Sequence, residues 1–253
     1  MRFFLKLFGE ESPVGRFLNR LYVIIVSNLL FVLFSVPVVT IGASLSALNH
    51  TLIKYQRGDR YFKVAQTFWK GFKENFAKAT VCFLALAALF LLQVLEISWC
   101  RQFNDIIAAF QYGLAGLMLL EAITAIYLFP VIAAFNGGIG ELLKNALYFA
   151  FSRPQRMLAC LALHAVPLLA TYTFLRFLPL ASFLWLMFGF SAIAYASTHI
   201  MLKQFIPFLP EVDLCGDIIP PDMEDDPGLA ADGDNAGDDP DEKTLQEMMK
   251  YGL

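Results

Sequence analysis

The chain has few charged residues for its length. Only 16% of the 253 residues are charged, 58% are hydrophobic, and 25 are phenylalanine. A typical soluble domain has about 25% charged residues and about 45–50% apolar residues. The scarcity of charge therefore argues against a water-soluble globular protein and predicts that lipid surrounds most of the chain.

Cysteine is also scarce, and its spacing carries no recognisable chemistry. The four cysteines are Cys82, Cys100, Cys160 and Cys215, with no CxxC pair and no metal-ligand spacing. Cys82 and Cys160 lie inside apolar runs, where a free cysteine packs as a small hydrophobic residue. We expect neither a disulfide framework nor a metal site.

Catalytic motifs are absent from the sequence as well. It has no Ser, His and Asp set, no HExxH motif and no cofactor-binding box. Residues 232–237 imitate the start of a calcium loop, but Ala236 occupies the fifth position and Lys243 the twelfth, where a bidentate Glu is needed. We expect a non-enzymatic protein without a cofactor or a metal.

The acidic residues are concentrated at the C-terminal end. Residues 211–253 hold 14 of the 22 acidic side chains and only two bases, Lys243 and Lys250. This segment is rich in Asp, Gly, Pro and Ala, so it has too little apolar surface to offset chain entropy. We predict a mostly disordered acidic tail over 211–253 that follows a basic membrane domain over 1–210.

Five apolar runs approach the roughly 20 residues that cross a bilayer core at about 1.5 Å per residue. A backbone in lipid must satisfy its own hydrogen bonds, so runs of this length are predicted to be helices. Ser12 and Pro13 have the order of an N-cap and a first helical residue, and Pro37 with Gly42 marks the end of the first span or a sharp bend. The predicted fold class is an all-α polytopic membrane helical bundle with spans at about 21–39, 77–97, 106–130, 157–175 and 182–202.

An amphipathic pattern fills the segment between the first two spans. Phe62, Ala65, Trp69, Phe72 and Phe76 recur at steps of three and four residues, and the lysines fall between them. The pattern predicts a cytoplasmic helix over about 61–76 that lies in the membrane interface. The alternative is a solvated helix docked on other cytoplasmic segments.

Basic residues in the short loops predict the orientation. With five spans, the side of the large loop holds 11 bases and the other side 6, which places the loop and the tail in the cytoplasm. If residues 41–56 turn back across the membrane, the N-terminus moves inside and the counts become 15 and 2. Five spans are preferred because Asn49, His50 and Lys54 make that segment a poor lipid-crossing helix.

Four polar residues fall inside the predicted spans, where they are costly in lipid: Asn28, Glu121, His164 and His199. Glu121 and His164 lie on consecutive spans and can pair directly. We regard the four as a candidate intramembrane polar cluster that forms a functional path or binding site. The alternative is that they satisfy one another as hydrogen bonds between helices, worth about 1 kcal/mol in model systems.

Several of these residues belong to a longer pattern. The segments Asn28-Leu-Leu, Ser35-Val-Pro37-Val-Val-Thr40-Ile-Gly42-Ala-Ser and Phe72-Lys-Glu-Asn75-Phe76 resemble the signature of the YesL-like family of bacterial membrane proteins. That family's domain has no established function. The family-motif residues of this chain are Asn28, Pro37, Thr40, Gly42, Phe72, Asn75 and Phe76.

The resemblance implies a bacterial plasma membrane location. Genes of this family often accompany carbohydrate uptake systems and sensor kinases, so it also implies an accessory or regulatory role near an ABC-type sugar permease or a sensor kinase. It supplies no catalytic residues. The alternative function is a small transporter or permease subunit with a polar intramembrane path.

Overall fold

The computed structural model describes residues 12–58, 63–102, 106–173 and 182–209. The tail predicted over 211–253 lies outside the described residues. Within the described ranges the chain is helical and contains no strand. The helices are α1 (Pro13–Phe34), α2 (Ile41–Gln56), α3 (Val64–Cys100), α4 (Ile106–Ala134), α5 (Ile139–Ser152), α6 (Pro154–Thr173) and α7 (Phe190–Phe205).

Five helical segments are long and apolar enough to cross a membrane, which confirms the predicted membrane bundle. Lipid contact accounts for their many exposed apolar side chains, because a protein surface in a bilayer faces hydrocarbon. The five segments are Pro13–Phe34, Val64–Cys100, Ala109–Ala134, Pro154–Thr173 and Ser182–Phe208.

The predicted start of α1 is confirmed in detail. The Ser12 side chain accepts a hydrogen bond from the Gly15 N–H at 2.9 Å, and Pro13 is the first helical residue. This N-cap satisfies one of the backbone donors that every helix start leaves without an intrahelical partner. The helix ends at Phe34, just before Pro37, and a short 3₁₀ turn leads into α2.

Two other helices extend beyond their predicted limits. α3 runs unbroken from Val64 to Cys100, so the amphipathic segment and the second span form one helix of 37 residues. The aromatic face of its first turns packs against α1 and α2, and this contact makes a break unnecessary. α4 continues through Pro130 to Ala134.

α2 occupies the interior of the bundle, where it packs against α1, α3, α4 and α7. Ten of its sixteen residues are buried. Asn49 and His50 are among its polar residues, and protein rather than lipid surrounds them. A helix that is too polar for lipid can therefore still lie deep in this protein.

His50 shows how the interior accommodates a titratable side chain. Its Nδ1 lies 3.2 Å from the Ala133 carbonyl oxygen of α4, and its ring packs against Gly71 of α3. His50 therefore contacts both α3 and α4.

The first half of α1 and the end of α2 meet at one residue of α7. The Arg20 guanidinium carbon lies 5.7 Å from the centre of the Tyr195 ring. Gln56 donates a hydrogen bond to the Tyr195 carbonyl oxygen at 2.9 Å, and the Tyr55 ring lies 6.5 Å from the Tyr195 ring. This arrangement is the one expected if residues 41–56 turn back, so that the start of α1 and the α2–α3 connection share one end of the bundle.

Candidate functional site

A pocket of about 290 Å³ lies between α2, α4, α6 and α7. Its walls are mainly aliphatic and aromatic, with Leu45 and Leu48 from α2, Ile126 and Phe129 from α4, and Leu168 from α6. The volume is close to the lower end of the range of roughly 300–1,000 Å³ seen for small-molecule sites. The pocket is therefore large enough for part of an apolar ligand.

A turn of π-helix forms one wall of this pocket. It comprises Trp185–Gly189 and leads directly into α7 at Phe190. Trp185 and Phe190 both line the pocket. The Trp185 indole N–H donates to the Thr171 hydroxyl of α6 at 3.0 Å, which fixes the orientation of the ring. Single π turns inside α-helices occur frequently at functional sites.

Asn28 of α1 holds the π turn in place. Its Nδ2 donates to the carbonyl oxygens of Trp185 at 3.1 Å and Leu186 at 2.6 Å, and its Oδ1 accepts from the Ser191 N–H at 2.9 Å. Asn28 is completely buried. The Asn28 side chain thus satisfies three backbone groups where the π turn meets the α-helix. An apolar residue at this position would leave all three groups without the Asn28 hydrogen bonds.

His164 of α6 is the only imidazole that lines the pocket. Its Nδ1 lies 2.8 Å from the carbonyl oxygen of Cys160, one helical turn earlier. A carbonyl oxygen can only accept, so Nδ1 carries the hydrogen, and in the neutral ring Nε2 is left with a lone pair. No described protein atom donates to Nε2, which makes it an available hydrogen-bond acceptor.

Two smaller polar side chains line the same pocket and also bond to their own helices. Asn49 Nδ2 donates to the Leu45 carbonyl at 2.7 Å, and the Ser197 hydroxyl donates to the Ala194 carbonyl at 3.0 Å. The Ser197 oxygen keeps its acceptor capacity, and Asn49 keeps its Oδ1 and one amide hydrogen. Most of the free hydrogen-bonding capacity in the pocket therefore belongs to acceptors.

The four members of the predicted polar cluster do not all line this pocket. His164 lines it, and Asn28 supports its wall through Trp185. Glu121 and His199 are not among the lining residues. No hydrogen bond or ion pair between described residues joins any two of the four, so their grouping into one site stays a prediction.

Glu121 lies on α4, one helical turn before Ala125, which lines the pocket. Its side chain is 9% exposed, and its Oε2 has no hydrogen-bond partner among the described residues. His199 of α7, in contrast, is exposed.

Sequence reasoning overlooked Asn49, Ser197 and Trp185 as site residues. The polarity of Asn49 inside an apolar stretch was the available signal.

The family-motif residues build the corner between α1 and α2. The Thr40 hydroxyl hydrogen lies between the carbonyl oxygens of Phe34 at 2.6 Å and Pro37 at 2.7 Å, so it binds the end of α1 to the 3₁₀ turn. Gly42 then contacts α3 so closely that a Cβ would clash with the Ala79 carbonyl oxygen. Only glycine permits this approach.

Aromatic rings join this corner to α3. The Phe34 ring centre lies 5.1 Å from that of Phe72 and 5.4 Å from that of Trp69, and Phe72 is in turn 5.4 Å from Phe76. These separations are typical of favourable ring pairs. Asn75 is also buried on this stretch of α3. Gly42, Phe72 and Phe76 therefore act in packing, Thr40 bonds within the corner, and Asn28 bonds to the pocket wall. Pro37 lies at the exposed corner itself.

Metal binding finds no support in the described part of the chain. Within residues 12–58, 63–102, 106–173 and 182–209, no three His, Cys, Asp or Glu side chains come together as a ligand group. Cys82, Cys100 and Cys160 are free and buried.

Comparison with known proteins gives a match in the region of the first three helices. A family model described as "Protein of unknown function, DUF624" matches residues 24–97, which extend from α1 through most of α3. All seven family-motif residues lie inside the match. Neither the curated proteins nor the solved structures gave a match to the chain. The chain is an integral membrane protein that contains a region similar to a domain of unknown function.

Proposed function

We propose that this protein is a non-enzymatic accessory or regulatory component of carbohydrate uptake in a bacterial plasma membrane. The observation that carries the proposal is how the polar side chains inside the membrane are hydrogen-bonded. Asn28, Asn49, His164 and Ser197 all bond to backbone carbonyls of the bundle itself. Such groups fix the fold, whereas a solute path needs polar groups directed into a continuous channel.

The resemblance to YesL-like proteins supports the choice of process. An ABC-type sugar permease or a sensor kinase of the uptake system is the expected partner. The basic loops and the acidic tail are then cytoplasmic, as the distribution of Lys and Arg predicts. The tail offers a second, negatively charged contact region.

The outer face of α5 is the docking surface that fits this role. The helix has 14 residues and is too short to cross a bilayer. Leu142 and Phe149 fix its inner side in the core, whereas Tyr148 and Phe151 are exposed beside the charged Lys144. Exposed aromatic residues are enriched at protein contact surfaces, whose rim is polar.

Crosslinked pull-down from native membranes tests the proposal. The tagged protein should capture a sugar permease subunit or a sensor kinase, and Tyr148→Ser should reduce the yield at least fivefold. Tyr112→Ser is the matched control, because Tyr112 is exposed as well, at 76% against 62% for Tyr148, and lies near the start of α4. Capture of neither partner class, or equal loss with both variants, contradicts the proposal.

A second function, a small transporter or permease subunit, is favoured by one specific observation. The Glu121 Oε2 is buried without a described partner, and unpaired carboxyl groups inside membranes often belong to ion or proton pathways. Uptake of a sugar by proteoliposomes that contain only this protein, and its loss in Glu121→Gln with insertion unchanged, would establish transport. An accessory protein shows no such uptake and tolerates the substitution.

A further inference from the structure

The pocket reaches the surface of the bundle on the side of α6 and α7. Leu168 and Phe190 line it, yet they are 60% and 40% exposed. Both residues lie on segments that are apolar enough to span a membrane. The mouth of the pocket therefore faces hydrocarbon, and a ligand enters it sideways from the bilayer.

The apolar walls decide which part of a ligand fits. Leu45, Leu48, Ile126 and Phe129 offer no hydrogen bonds, so a free sugar would lose its hydration without compensation. An alkyl or prenyl chain has no hydration to lose, because it moves from one apolar environment to another. It also gains close packing in the pocket. The occupant is thus a chain already dissolved in the membrane.

The polar atoms decide which head group fits. His164 Nε2 and Ser197 Oγ are acceptors, since both side chains direct their hydrogens to carbonyls of their own helices. Acceptors bind ligands that donate a hydrogen, such as a hydroxyl group. An ether or an ester oxygen has no hydrogen to donate and leaves Nε2 without a partner.

We propose that this pocket binds a single-chain amphiphile with a hydroxyl head group, the chain lying between α4 and α7 and the hydroxyl donating to His164 Nε2. The ligand class is a long-chain or prenyl alcohol. This site is separate from the outer face of α5, so the proposal stands without the docking function.

Photolabelling with a matched pair of probes tests the proposal. One probe is a long-chain alcohol with a diazirine in its chain, and the other is its methyl ether, which lacks the donor. The full-length protein is reconstituted in phosphatidylglycerol nanodiscs, irradiated and analysed by mass spectrometry. The alcohol should label it about fivefold more than the ether, the ratio expected for one net hydrogen bond of about 1 kcal/mol.

Variants show whether the label comes from this pocket. Ala125 lines the pocket and Ala122, one turn away on α4, is exposed outside it. Ala125→Phe should reduce alcohol labelling at least fivefold, and Ala122→Phe should leave it unchanged. His164→Phe should make the alcohol and the ether equal, because the acceptor is lost while an aromatic ring remains.

Several results would overturn the proposal. They are equal labelling by alcohol and ether in the unmodified protein, equal effects of the two alanine substitutions, and adducts spread along all lipid-facing helices instead of concentrated near Leu168 and Phe190. If His164→Phe does not fold, competition in the unmodified protein replaces it. Unlabelled alcohol must then displace the probe at lower concentration than unlabelled ether, and equal competition is again a negative result.

Discussion

Replacing Asn28 with leucine tests whether α1 holds the π turn. The variant removes all three hydrogen bonds between Asn28 and the backbone of Trp185, Leu186 and Ser191. Hydrogen bonds between membrane helices average about 0.6 kcal/mol each, whereas those in soluble proteins contribute about 1 kcal/mol. The expected loss is therefore roughly 2–3 kcal/mol of the free energy of unfolding.

Unfolding in mixed micelles with increasing dodecyl sulfate, followed by circular dichroism, measures this loss. Leu29→Ala is the control, because Leu29 is the exposed neighbour of Asn28 and should change stability by no more than about 0.5 kcal/mol. Asn28→Asp keeps the acceptor for Ser191, but it loses both donors and places buried acidic oxygens against two carbonyl oxygens. Because that repulsion and burial are costly, Asn28→Asp should be at least as unstable as Asn28→Leu. An Asn28→Leu protein as stable as the Leu29→Ala control would refute the role given to Asn28.

Two further predictions follow from the packing of α2 and the course of α1. Gly42→Ala should destabilise the protein by about 1–3 kcal/mol in the same assay, because the new Cβ clashes with the α3 backbone. Gly116→Ala is the control, because its new Cβ meets no neighbour and should have no destabilising effect. In a background without native cysteines, Arg16→Cys and Arg101→Cys should react with impermeant maleimide from opposite sides of the membrane. Reaction of both cysteines from the same side would show that α2 does not turn back.

The parts of the fold that were predictable depend on local sequence. A segment that crosses lipid must be long and apolar, so the five spans could be identified from composition. Ser12 and Pro13 mark a helix start by residue type alone. Pro37 likewise marked the corner after α1. In each case the determining residues lie within one or two helical turns of the feature.

The parts that were not predictable depend on contacts between distant residues. Asn28 bonds to a turn that lies 157 residues or more along the chain, and no periodicity indicates a π turn at Trp185. The interior position of α2 was equally hidden, because Asn49 and His50 argue against lipid and say nothing about burial in protein. The pocket forms only when four helices come together, so the sequence indicates single polar residues such as His164 and Asn49 but not the site that they share.

The interior position of α2 has a consequence for biogenesis. This helix is too short and too polar to leave the translocon for lipid unaided, and its Gly42 surface is complementary to α3. We therefore expect that α3 must be complete before α2 has a suitable environment, and that the α1–α3 segment leaves the insertion machinery as one unit. A nascent chain arrested at the start of α3 would expose α2 to membrane chaperones and proteases.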